Sequence, residues 1–94
     1  MQCRSLEEVR ESIDRIDNEI VKLIAERGQY VVQASAYKKT ADAVKAHKRV
    51  EAVITKVRSK AEEYGANPEM VEALYREMIN RFITMEMQEF RKNN

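Results

Sequence analysis

Arg27 interrupts an apolar series where a hydrocarbon side chain is due, four residues after Leu23 and three before Tyr30. A guanidinium stays charged at any workable pH, so a sequestered one needs an anion with planar, two-oxygen geometry, and a substrate carboxylate would serve. Lys38 follows eleven residues later, about three helical turns, and therefore projects from nearly the same face. The small Ala34 and Ser35 between them leave a hollow. Arg10 precedes Arg27 by seventeen residues, which turns it about 100° away and sets it roughly 25 Å along the same rod. It cannot reach that hollow within its own chain. In an antiparallel pair of long helices, however, the start of one approaches the middle of the other, so the cations predict a site shared between two chains. Glu86 is the matching anomaly, four residues after Phe82 and four before Phe90 in another apolar stripe. An interior carboxyl that keeps its proton is a hydrogen-bond donor, and beside Lys38 it would stabilise charge growing on a substrate oxygen, while the lysine favours the ionised form. Together these residue types suit the grasp of a small dicarboxylate and electrostatic stabilisation of its reaction.

Each residue also has a plainer reading. Arg27 can pair with an acid of another helix, as seam cations in dimers do. Arg10 alone reads as a solvated surface arginine. Lys38 stands beside Lys39, and either suits the carboxyl end of a helix. Glu86 can tilt into water, and Cys3 and His47 read as incidental.

The elements that must position these groups are helices. Two glycines and one proline serve the whole chain, and Gly65 and Pro68 fall in one short stretch. Ser5 followed by Glu8 reads as a capping box, and Leu6, Val9, Ile13, Ile16, Ile20 and Leu23 recur at steps of three and four. With no breaker before Thr40, this predicts a first helix over 5–39, about 50 Å long. Residues Thr40 to Ala46 read as a loop, Val50, Val53, Val57 and Ala61 mark a second helix over 46–64, and Asn67-Pro68 opens a third over 68–91. The expected fold class is all-α, a single domain of three helices. A globule of this size has a radius of gyration near 13 Å, so so long a first helix would project its seam into water unless a second copy covered it. An intertwined homodimer is therefore expected.

Composition narrows the function. The 94 residues hold one cysteine and one histidine, which excludes an internal disulfide framework and a zinc site of ordinary spacing. Lys and Arg total 17 against 16 acids, a balance that supplies no broad field for nucleic acid or an anionic membrane. No apolar run approaches a membrane span, and Met1 to Ser5 lacks the core of a signal peptide, so a cytoplasmic location is expected.

The chain resembles the all-helical chorismate mutases over almost its whole length. Val9-Arg10-Glu11-Ser12-Ile13-Asp14-Arg15-Ile16-Asp17 is similar to the family's opening segment, which gives an arginine to the neighbouring subunit's site. Ile24-Ala25-Glu26-Arg27 is similar to its second arginine motif, Lys38 stands at its lysine position, and Arg49 stands at an arginine of its second helix. The resemblance implies conversion of chorismate to prephenate without cofactor or metal. By the same resemblance Arg10 of the partner subunit and Arg27 bind the two carboxylates, Lys38 contacts the ether oxygen and a carboxylate, and Arg49 adds positive potential.

Three departures qualify what is carried over. Where the usual mutase places acids early in the second helix, one of them holding the C4 hydroxyl of chorismate, this chain has Ala46 and Val50. Arg49-Val50, the run from Arg58 to Gly65 and Val71-Glu72-Ala73-Leu74 are similar instead to the isochorismate pyruvate lyase branch, which makes salicylate from isochorismate. Glu86 occupies a place that is glutamine in the usual bacterial enzymes and glutamate in fungal ones, which implies a pH-dependent activity. The expectation is thus a chorismate mutase-type enzyme, with isochorismate pyruvate lyase as the alternative. A catalytically silent helical dimer or metabolite-binding module is the competing class.

Overall fold

Ser5 starts the first helix by accepting the Glu8 amide at 3.1 Å on Oγ, while the Glu8 carboxylate reaches back to the Arg4 amide. These contacts satisfy two amides at the helix start, and Glu7 and Glu8 in the first turn complement the dipole there. The computed structural model describes residues 2–92. Their elements are α1 (Leu6–Ser35), the one-turn α2 (Ala41–Lys45), α3 (His47–Tyr64) and α4 (Pro68–Lys92). No strand occurs among the described residues, and no helix is long and apolar enough to cross a membrane. The chain divides between Tyr30 and Val31 into two compact units.

In the first unit the apolar series of α1 lies open. Leu6 is 61% exposed, Ile13 50%, Ile16 47%, Ile20 47% and Leu23 61%. The moment of this helix is real, but nothing within its own unit covers it, because a single helix has no second layer against which to bury a face.

In the second unit α1 ends earlier than its sequence predicts, at Ser35 rather than residue 39. Ser35 is buried and its hydroxyl donates to the Val32 carbonyl at 2.6 Å. The next three amides, of Ala36, Tyr37 and Lys38, bond three residues back, to Gln33, Ala34 and Ser35. That tightening closes the last turn. Lys38 therefore follows the helix instead of belonging to it.

The stretch read as a loop contains α2. Thr40 caps it by accepting the Ala43 amide at 3.0 Å, and Val44 beneath it is the most deeply buried side chain. Ala46 ends it at φ 44°, ψ 55°, its amide returning to the Asp42 carbonyl at 3.0 Å. A left-handed alanine costs about 1–2 kcal/mol, held here between two helices.

α3 stops at Gly65, φ 78°, where the Gly65 amide bonds Glu62 and the Ala66 amide reaches Ala61 at 2.7 Å. That pair of bonds is a Schellman motif, and its positive φ suits glycine. Asn67 then caps α4 through the amides of Glu69 and Met70 at 2.9 and 3.2 Å, with Pro68 in the first helical position as the sequence predicts. The short connection makes α3 and α4 an antiparallel hairpin. Val53, Ile54 and Ile79 form its centre, packed by Val50, Val57, Tyr75 and Ile83.

Charges bind the same hairpin from outside. Arg76 takes both oxygens of Glu51 at 2.9 and 3.0 Å and one of Glu72 at 2.7 Å, and Arg58 takes the other oxygen of Glu72 at 2.6 Å. The hydrogen bond from Arg76 holds Glu51 below its usual value of 4.5, and the hydrogen bonds from Arg76 and Arg58 do the same for Glu72. A carboxylate depressed in the native state contributes stability above the unfolded value that is lost as pH falls through the native one. The thermal midpoint followed by circular dichroism should therefore hold level above about pH 5 and decline below 4.5. Arg76→Ala should lower the midpoint at neutral pH and flatten that acid decline, and an equally steep decline in the variant would remove the network from the account.

Candidate active site

α4 carries the stripe Ile79, Phe82, Glu86 at helical spacing, and all three are buried. The carboxylate thus takes a core position, 4% exposed, rather than tilting into water. The cost of removing a charge from water is offset only by a close opposite charge. Lys38 supplies it from the turn after α1, its Nζ donating to Glu86 Oε2 at 2.9 Å. The lysine side chain is 25% exposed and the glutamate 6%, so the carboxylate is the more deeply buried partner.

This arrangement leaves the ammonium able to act outward. Lys38 Nζ has three donor hydrogens, and Glu86 occupies one. The carboxylate also restrains a flexible four-carbon stem, so the remaining donors are held in place before any anion arrives. No buried side-chain polar atom among the described residues lacks a partner.

The other expected site residues fall in two groups. Arg49 is exposed in the first turn of α3, two residues after His47, in the same unit as Lys38 and Glu86. Val50, next to it, is half buried and packs on the Val53–Ile54–Ile79 cluster, which gives it a structural task independent of any ligand. Arg10 and Arg27 belong to the first unit, the former exposed and the latter half buried on α1. Seventeen residues of continuous helix separate them by roughly 25 Å. One chain's pair cannot meet on a single small molecule. No group of three or more metal-ligating side chains occurs among the described residues.

Sequence reasoning passed over one feature. Residues 38–49 hold Lys38, Lys39, Lys45, His47, Lys48 and Arg49 against the single acid Asp42. The near-zero balance of the whole chain hides this run, which a local charge count finds.

Two comparisons bear on this geometry. The profile of chorismate mutase type II matches residues 9–87, a span that includes Arg10, Arg27, Lys38, Arg49, Val50 and Glu86. The chain is also similar to the isochorismate pyruvate lyase of Pseudomonas aeruginosa, 36% identical over 90 residues that cover 96% of this chain and 89% of the relative. Matched over most of its length by both, the chain belongs to the chorismate mutase type II family of enzymes.

Proposed function

We propose that the protein converts chorismate to prephenate as a homodimer with two shared sites. The observation that carries this reading is the Lys38–Glu86 pair, a part-exposed lysine whose ammonium is anchored by a buried carboxylate. The rearrangement is one cyclic step in which the ether C–O bond breaks as a C–C bond forms, so it needs no nucleophile, metal or cofactor. Rate comes from holding the compact reactive conformer and from meeting the negative charge that develops on the ether oxygen. In this reading Lys38 meets that charge and Glu86 keeps Lys38 in place. Arg27 and Arg10 of the second subunit take the two carboxylates, Arg49 adds positive potential, and Val50 borders the ring.

The dimer in this reading is supported by α1, whose large apolar residues from Leu6 to Leu23 are 39–65% exposed in the single chain. Covering that face with a second copy would contribute on the order of 5 kcal/mol per subunit, taking roughly 1 kcal/mol for each half-exposed aliphatic side chain. The free, exposed thiol of Cys3 suits the reducing cytoplasm, where we place the protein.

A second reading, isochorismate pyruvate lyase, is favoured by the P. aeruginosa relative and by Val50, which offers hydrocarbon where a mutase is expected to hold a hydroxyl. The same cations would serve it, with a hydrogen moving from the ring to the enolpyruvyl group as the C–O bond breaks, giving salicylate and pyruvate. Purified protein assayed in parallel on both substrates decides. Prephenate from chorismate supports the first reading, salicylate with equimolar pyruvate from isochorismate supports the second, and no product at micromolar enzyme leaves a silent helical dimer.

A further inference from the structure

Residues 38–49 carry five lysines and arginines against Asp42 alone, a formal +4 in a chain whose total is +1, so the rest of the molecule is net −3. Elsewhere in the chain six of the twelve cations pair with acids: Lys22 with Glu19, Arg58 and Arg76 with Glu72, Lys60 with Glu63, Arg81 with Glu77 and Lys92 with Glu89. Within the segment only Lys38 is so engaged, and among the described residues Lys39, Lys45 and Lys48 make no ion pair. All three are exposed.

Lys45 stands in the last turn of α2, where the dipole favours a cation, but the placement of Lys48 runs against helix stability. His47, Lys48 and Arg49 fill the first turn of α3, where the helix dipole favours acids; no acid is present there, and Ala46 offers no side-chain cap. The dipole's positive end therefore adds to the cations. The segment is also held to the molecule, because Val44 is buried, α2 packs on α4, and Lys38 is tied to Glu86 on the same helix. Unpaired positive charge thus follows Lys38 closely in sequence, on a backbone segment held within the same unit.

We propose that Lys39, Lys45 and Lys48 form an electrostatic collector that raises the local concentration of the doubly anionic substrate at Lys38 and takes no part in the chemical step. The inference rests on the proposed function and adds residues that act on capture alone. Long-range attraction between exposed charges is screened with a Debye length of about 8–10 Å at 0.10–0.15 M salt, so its contribution belongs to kcat/KM and fades with ionic strength. A group that touches the reacting atoms would instead lower kcat.

The test uses the full-length protein and whichever of chorismate or isochorismate it turns over, with kcat and KM measured from about 10 mM to 0.5 M sodium chloride. The triple variant Lys39→Gln, Lys45→Gln, Lys48→Gln should lose about tenfold in kcat/KM at low salt, keep its kcat, and converge on the parent at high salt. A control with the same loss of charge, Lys22→Gln, Lys56→Gln, Lys60→Gln, should retain most of the parent's salt dependence. Parallel salt profiles for the parent and the first triple variant overturn the collector while the proposed function stands. Equal losses in both variants also overturn it, because overall charge would then be the cause, and a fall in kcat of the first variant overturns the separation of capture from chemistry. Absence of turnover by the parent on either substrate overturns the collector together with the function on which it rests.

Discussion

Lys38→Ala should lower kcat by about 10²- to 10³-fold, the range measured when one pre-organised donor to a developing oxyanion is removed. The substitution also strips the buried Glu86 of the ammonium at 2.9 Å, and an orphaned interior charge costs roughly 3–5 kcal/mol when its partner is deleted. A loss of activity by this variant alone is therefore ambiguous between chemistry and folding. The double variant Lys38→Ala, Glu86→Gln separates the two. A neutral amide tolerates the interior far better than an unpaired carboxylate, so its thermal midpoint should recover most of what Lys38→Ala loses. Its kcat should stay as low as in the single variant. Activity that returns with stability would make Lys38 a structural tie between the turn and α4, and the catalytic role would be withdrawn.

Arg10→Ala and Arg27→Ala should each cost about 10²-fold or more in kcat/KM, since in the proposed site each removes one partner of a charge-assisted pair with a carboxylate. Their mixture should do better than either. In a dimer of one Arg10→Ala chain with one Arg27→Ala chain, one site keeps both arginines and the other keeps neither. Random exchange makes half the dimers mixed, so about a quarter of parental activity should appear after unfolding and joint refolding. The geometry behind this is the roughly 25 Å of helix between the two residues, too far for one chain to clasp a small dicarboxylate with both. Activity of the refolded mixture no higher than that of the separate variants would place each site within one chain.

Much of this arrangement is legible in the residues. Ser5, Gly65 and Asn67 announce helix ends through local chemistry, and the structure places each at a helix boundary. Glu86 is conspicuous because a carboxylate interrupts a stripe of hydrocarbon, and its burial follows from that register. The end of α1 is harder to read. Ala36, Tyr37, Lys38 and Lys39 are all tolerated in helices, and the helix ends at a buried Ser35 followed by a Lys38 engaged with Glu86 of α4, a contact 48 residues away in sequence. α2 is too short for periodicity, and Thr40, its cap, reads equally well as loop. The Glu51–Arg76–Glu72–Arg58 network stays hidden for another reason: with 33 Lys, Arg, Asp and Glu residues in the chain, spacing does not say which will meet across two helices.

In the proposed site, cations contributed by two copies of this chain enclose one cyclic dicarboxylate against Lys38. A crystal structure with a non-reactive cyclic dicarboxylate bound examines it most directly. The expected result is one carboxylate in bidentate contact with Arg27, the other reached by Arg10 of the second subunit, and a ligand oxygen within about 3 Å of Lys38 Nζ. A ligand bound away from Lys38, or held wholly by residues of a single chain, would contradict it.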